Sequence, residues 1–304
     1  NINGKKRDIR IAIPSKGRLS DNSLDLMKKS GLAVKRPNPR QYEATIPLLP
    51  GVKVLFQRAG DIAVSVRDGI VDFGITGFDV VSEKQDDNGS ILVMLDKLGF
   101  GSCKLCAIVP ESAQNVESMQ DVAALIKPKK DSLRVATKFP KLTQQFFTQM
   151  NVDNVTYIVA EGALEIAPLI GYADMITDLV SSGMTLRDNR LKILKDGVIL
   201  ESQACLIANR ENLLGSQQVM EVARQLLEFI VAYLRAEENV AVFANIRGDS
   251  PEDVAKLILG KRVIRGLQGP TISRVITHKR ENWYAAHLII RKSELAEAIR
   301  ELRS

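Results

Sequence analysis

The segment Asp174-Met-Ile-Thr-Asp178-Leu-Val-Ser181-Ser182-Gly183-Met184-Thr185-Leu186 carries the residues best suited to chemistry. An apolar run bearing a carboxylate opens into hydroxyls and consecutive backbone N–H groups around a glycine. Such a turn forms a concave set of donors for a phosphate. Gly183 has no Cβ, so the backbone can turn sharply there and approach an anion closely. Asp178, five residues before that glycine, is placed to meet ribose hydroxyls or a magnesium-bound sugar. A carboxylate beside a phosphate cup is the pattern a phosphorylated ribose requires. An ordinary strand-to-helix turn with Thr185 as a cap fits the same spacing.

Imidazoles are nearly absent: His278 and His287 are the two histidines, and both lie near the C-terminus. This excludes a Ser-His or Cys-His nucleophile pair from the larger part of the chain and disfavours a histidine-rich metal site. Three cysteines cannot make a disulfide scaffold. Cys103 and Cys106 have redox-motif spacing but fall on a strand, where residues three apart point to opposite faces. The formal charge of +6 is dispersed, with no basic block interleaved with aromatics. Nucleic acid is therefore not an expected partner, whereas small polyanions are. The absence of a signal peptide and of a long apolar run predicts a soluble intracellular protein. A cytoplasmic location is expected, or an organelle stroma if a transit peptide has been removed.

The elements that position these residues follow from periodicity and punctuation. With aromatics at only 5%, the core must be built from Ile, Leu, Val and Ala. Ile9–Ile13 reads as a strand emptying into Pro14-Ser-Lys-Gly-Arg18, and a helix is expected from Ser20 or Asp21 to Gly31. Strands at 52–56 and 71–75, with a short helix over 61–69, make an α/β lobe whose ligands lie beyond the carboxyl ends of its strands. A second lobe is expected from strands at 104–109, 133–137 and 155–159. Helices are expected over 142–150 and 163–171. The segments 191–194 and 198–208 are candidates to return to the first lobe. The predicted organisation is thus lobe I over 1–103 with 190–212 returning to it, and lobe II over 104–189. The long apolar-periodic helix of 216–237 opens a further domain over 216–304. Its β-α-β-β-α pattern is ferredoxin-like but lacks a strand after the last helix.

With these pieces placed, the sequence resembles the long form of the ATP phosphoribosyltransferases, the first enzymes of histidine biosynthesis. The resemblance runs nearly end to end. It is carried by Ile11-Ala-Ile-Pro-Ser-Lys-Gly-Arg-Leu19, by Asp72-Phe-Gly-Ile-Thr-Gly77 with Asp79, and by Gly99-Phe-Gly-Ser-Cys-Lys104. It continues through Glu161-Gly-Ala-Leu-Glu165 with the loop ending at Leu186, and through Gly269-Pro-Thr-Ile272. The resemblance implies a two-lobed, periplasmic-binding-protein-like α/β core with a regulatory domain resembling amino-acid-binding ACT domains. It also implies magnesium dependence, feedback inhibition by histidine and a homo-hexamer built from dimers.

The implied reaction is attack of adenine N1 of ATP on the anomeric carbon of phosphoribosyl diphosphate, releasing diphosphate. No strong base is needed for it, so catalysis would rest on positioning and charge stabilisation. Transferred residue by residue, the resemblance assigns Ser181, Ser182, Gly183, Met184, Thr185 and Leu186 to the 5-phosphate. Asp178 and Glu165 go to the ribose. Lys16, Gly17, Arg18, Arg58, Asp79 and Lys104 go to ATP, with Lys16 and Arg18 also catalytic candidates beside Asp178. Lys138 is a further candidate phosphate contact. No metal is assigned to protein side chains. In the regulatory domain Thr271 and then Asn245 are the candidate inhibitor contacts. Two other readings share this architecture: a solute-binding protein without chemistry, and a catalytically silent paralogue that binds histidine beside a separate catalytic chain.

Overall fold

The computed structural model describes residues 8–38, 41–126, 132–160, 162, 164–276 and 282–303. The chain divides into two compact units, residues 1–227 and 228–304. In the first unit, β1 (Ile9–Pro14) leads into α1 (Gly17–Lys29), followed by β2 (Glu43–Thr45), β3 (Val52–Gln57) and α2 (Ala59–Arg67). β4 (Phe73–Gly77), α3 (Phe78–Lys84) and β5 (Ile91–Leu95) complete this stretch. The chain then enters a second sheet with β6 (Cys103–Pro110), α4 (Met119–Ile126), β7 (Leu133–Thr137), α5 (Pro140–Gln149) and β8 (Val155–Val159). β9 (Met175–Val180), α6 (Met184–Asp188) and β10 (Leu191–Ser202) follow. β11 (Ala204–Asn209), α7 (Arg210–Gly215) and α8 (Gln217–Glu238) come next, and α8 spans the boundary between the units.

The first sheet has the order β2-β3-β1-β4-β11-β5 and the second β10-β6-β9-β7-β8. Two lobes therefore share two crossovers, β5 to β6 outward and β10 to β11 back. The central strands are apolar on both faces, as parallel strands covered by helices must be. Ile11, Ala12 and Ile13 of β1 are all fully buried. Ala12 packs with Ile62, Ala63 and Val66 of α2 in the first lobe. Ala107, Val135, Phe147 and Met175 gather on one side of the second sheet.

Local structure departs from the sequence reading at several points. α1 starts at Gly17, whose φ of +72° turns the chain directly into the helix, so Ser20 is a buried residue of the first turn. The expected return of 190–212 divides: β10 stays in the second sheet against β6, and only β11 pairs in the first, between β4 and β5. In place of a helix over 163–171 there is one 3-10 turn, Leu164–Ile166, followed by turns, and Glu161 and Ala163 lie outside the described residues.

The second unit adds β12 (Asn239–Arg247), α9 (Pro251–Leu259), β13 (Thr271–Arg274), β14 (Trp283–Arg291) and α10 (Leu295–Arg303). Among the described residues its sheet has three strands, in the order β12-β14-β13. Ser250 caps α9 by accepting from the Asp253 amide at 3.1 Å, with Pro251 in the first turn. Val254 and Ile258 of α9 and Ala298 of α10 pack on Tyr284, Ala286, Leu288 and Ile290. Val240, Val242 and Ile246 of β12 and Ile272 of β13 pack on the same face, and strand alternation places the residues between them on the opposite one.

Candidate functional site

β9 ends at Val180, and Ser181, Ser182 and Gly183 carry the chain into α6. Gly183 has φ +72°, the left-handed conformation that glycine adopts without steric cost, and a Cβ there would meet nothing within 4 Å. The space in front of the loop is therefore open. These three residues line a cavity of about 570 Å³. The same cavity is lined by Phe78 from the first lobe, by Lys97, Ser102 and Gln203 from the crossovers, and by Lys104 and Glu201 from the second sheet. Among the sequence-predicted residues, Lys104 and the Ser181–Gly183 loop are thus brought to one cleft. Lys104 is directly opposite Glu201 in the β6–β10 ladder, and its ammonium pairs with that carboxylate at 2.6 Å. Cys103 and Cys106 also border the cleft, and burial pushes the Cys106 thiol up to about 11.

Asp178 is half-buried on β9, with Oδ1 accepting from the Leu179 amide at 2.8 Å. β7 and β9 are parallel neighbours with Thr137 opposite Thr177, so Lys138 follows β7 where Asp178 stands on β9. Burial raises the Asp178 carboxyl above its ordinary value; the Leu179 amide and Lys138 pull it down, and Glu165 pushes it up. Asp178, Lys138 and Glu165 are thus electrostatic neighbours at one end of the second sheet. Beneath them Thr137, Thr143 and Thr177, all fully buried, close a ring of hydroxyl hydrogen bonds of 2.6 to 3.1 Å. Thr185 and Leu186 belong to α6, and Met184 beside them is 66% exposed.

Lys16, Gly17, Arg18 and Arg58 stand exposed at the carboxyl ends of β1 and β3. The Ser15 amide donates to the Gln57 carbonyl at 2.7 Å and holds those two loops together. They form a cationic edge on the first lobe without lining the cavity around Ser181. Asp79 is the enclosed member of the predicted set. It is 4% exposed, accepts from the Ser202 hydroxyl at 2.6 Å, and folds back against Gly77, where a Cβ would collide with Asp79 Oδ1. The carboxylate and the Asp79 amide tie the start of α3 to Ser202 at the end of β10.

Lys97 and Gln203 escaped the sequence reading. Both sit at the crossovers, where the Leu98 amide donates to the Ala204 carbonyl and the Ala204 amide to Phe100, each at 3.0 Å. The available signal was positional: Gln203 ends the short polar run Glu201-Ser202-Gln203 before the apolar Ala204–Ala208.

The candidate inhibitor residues lie in the second unit. Thr271 is paired with His287, and His287 with Phe243, so the three form one row across the sheet. The Phe243 and His287 rings stack at 4.2 Å and 5°. Asn245 lies one row along on the same exposed face. His278 falls outside the described residues.

Two α/β lobes joined by two crossovers, with a glycine-centred loop and lysines lining one cavity, fit a small-molecule-binding class of protein. Residues 58–228 match the family described as HisG: ATP phosphoribosyltransferase, and residues 236–304 match the HisG C-terminal domain. The chain is 40% identical to ATP phosphoribosyltransferase 2, chloroplastic, of Arabidopsis thaliana, covering 98% of this chain and 74% of that protein. It is 36% identical to the ATP phosphoribosyltransferase of Methanocaldococcus jannaschii, covering 97% and 94%. The chain belongs to the ATP phosphoribosyltransferase family. Among solved structures, the ATP phosphoribosyl transferase (HisG:HisZ) complex from Thermotoga maritima shares the fold with a TM-score of 0.59. The alignment has 22% identity over 75% of this chain and 99% of that one.

Proposed function

We propose that the cleft joins N1 of the adenine of ATP to the anomeric carbon of phosphoribosyl diphosphate, giving phosphoribosyl-ATP and diphosphate. The observation that carries this is the Ser181–Gly183 loop lining one cavity with Lys97 and with Lys104, which pairs with Val180 at the foot of the loop. In this reading the amides and hydroxyls of 181–186 hold the 5-phosphate, and Asp178 with Glu165 orients the ribose hydroxyls. Lys104, Lys97 and Lys138 stabilise the diphosphate as it leaves, and Lys16, Arg18 and Arg58 hold the phosphates of ATP with the backbone at Gly17. The adenine nitrogen brings its own lone pair, so these residues act by orientation and by charge held in place. Residues 1–103 with β11 serve as the ATP-side lobe, and β6 to β10 as the phosphoribosyl-side lobe.

Among the described residues no group of three His, Cys, Asp or Glu gathers as a metal site. In this reading magnesium enters as part of the phosphate-bearing substrates. Histidine is proposed to inhibit through the sheet face carrying Thr271 and Asn245, in a homo-hexamer. Among the described residues no helix is long and apolar enough to cross a membrane. Two relatives have chloroplastic in their names, which supports an organelle stroma over the cytoplasm. Incubation with ATP, phosphoribosyl diphosphate and magnesium tests the activity. Binding of both substrates with no phosphoribosyl-ATP formed would overturn it.

A further inference from the structure

Two helices from different lobes meet end to end behind the cleft, and each supplies the charge the other's terminus needs. α5 begins after Phe139, a position that offers no side-chain cap. Its first amides are capped from the other lobe: the Glu83 carboxylate of α3 accepts from the Lys141 amide and from the Leu142 amide, each at 3.0 Å. In return the Lys141 ammonium donates to the Gln85 carbonyl at the C-terminal end of α3, at 2.6 Å. An anion at a helix N-terminus and a cation at a C-terminus are both favoured by the helix dipoles. Glu83 is only 8% exposed, so this clasp is shielded from water.

Both ends of the clasp lead to the site. α3 opens with Phe78, which lines the cleft, and Asp79, which is tied to Ser202. The first turn of α5 carries Thr143, whose hydroxyl closes the buried ring with Thr137 and Thr177. Those two threonines immediately precede Lys138 and Asp178. Two sets of hydrogen bonds, joined by adjacent residues of the chain, therefore link Glu83 on the ATP side to the residues proposed to face the ribose.

We propose that Glu83 is a positioning residue of the reaction, a carboxylate latch that fixes the angle between the lobes and couples occupancy of one to affinity in the other. The proposal rests on the reading of the cleft as the site for ATP and a ribose phosphate. It differs from ordinary helix capping because the cap comes from the opposite lobe, so losing it loosens the lobes as well as the helix end.

The test uses the full chain with Glu83→Ala, Glu83→Gln and Lys141→Met, and ribose 5-phosphate as an unreactive probe. In the parent, ribose 5-phosphate is expected to tighten ATP binding by at least about fivefold. In Glu83→Ala that ratio falls to about one and kcat drops by about tenfold or more, while hydrogen exchange at the Leu142 amide accelerates. Glu83→Gln keeps one acceptor oxygen and is expected to recover part of the coupling. Lys141→Met removes the reciprocal half alone and should lower the coupling with the fold intact, so it decides the matter if Glu83→Ala does not fold. Coupling and kcat equal to the parent in a folded Glu83→Ala or, failing that, in Lys141→Met would reduce Glu83 to a helix cap, as would a parent without coupling. A parent that makes no phosphoribosyl-ATP would instead overturn the reading of the site.

Discussion

Asp79 and Asp178 are a matched pair with opposite fates. Asp79 opens α3 just after β4 and Asp178 stands near the end of β9, one in each lobe, and burial raises both carboxyls. Asp79 is enclosed, with the Ser202 hydroxyl, its own amide and the Val80 amide around it. Asp178 keeps an amide on one oxygen and faces Lys138 and Glu165. The difference teaches that a carboxylate in a conserved-looking motif can serve either the scaffold or the ligand. What separates the two is the supply of internal donors: a satisfied carboxylate is part of the structure, and an under-satisfied one at a cleft is available to a substrate.

Alanine substitution at each position is the sharpest way to break this contrast. Asp178→Ala should lower turnover about 100-fold or more while leaving the melting temperature at neutral pH unchanged or higher. Asp79→Ala should instead cost about 1–3 kcal/mol of stability by removing the carboxylate that accepts from the Ser202 hydroxyl and the Val80 amide. Its folded fraction should keep most of its activity. Thermal denaturation with a phosphoribosyl-ATP assay reads both, and loss of activity without loss of stability in Asp79→Ala would return Asp79 to the ATP site.

Gly183→Val comes next in size. A β-branched residue at φ +72° is strained by about 1–2 kcal/mol, and its methyl groups enter the open space in front of the loop. Phosphoribosyl diphosphate affinity is expected to fall by about tenfold or more. Unchanged affinity by calorimetry would move the phosphate elsewhere.

A smaller effect is expected from pH. Asp178 must be ionised to accept from ribose hydroxyls, and its raised value shifts the acid limb of kcat/KM above the ordinary carboxylate range. The sign for stability is the reverse of the sign for activity. A raised folded value means that Asp178 contributes stability in acid, below its unfolded value, and that this is lost as pH rises through the folded value. Asp178→Asn should therefore be more stable than the parent above that pH and lose the advantage below it. An identical stability profile in the two proteins would show that burial does not govern this carboxyl.

Much of this was legible in the sequence where local chemistry decides it. The strands at 133–137 and 155–159 fall on the expected residues because β-branched runs bounded by polar turns admit little else. The capping of α9 by Ser250 followed by Pro251 is likewise local. Long-range pairing was less legible. Leu191–Ser202 and Ala204–Asn209 are strands separated by one residue, and nothing in their composition says that the chain changes sheet there. The enclosure of Asp79 was hidden for a similar reason: its partner Ser202 is 123 residues away. At the site, the loop around Gly183 could be read because glycine and hydroxyls signal it directly. Lys97 could not, because an exposed lysine after a strand has no distinguishing neighbour.

The smallest expected effect lies in the second unit. Thr271→Ala should weaken inhibition by histidine a few-fold, since one hydroxyl hydrogen bond is worth about 1 kcal/mol, with basal turnover unchanged. Equal inhibition of variant and parent would remove Thr271 from that site.

The position of β11 bears on how the molecule is made. It lies between β4 and β5, so the first lobe cannot complete its sheet until residue 209 has left the ribosome. The second lobe, β6 to β10, has every strand in hand by residue 202 and is the earlier to become foldable. A chain begun by the ATP-side lobe is thus finished there last. The edges of β4 and β5 wait unpaired through the synthesis of everything between, the interval in which a nascent chain is most open to wrong partners.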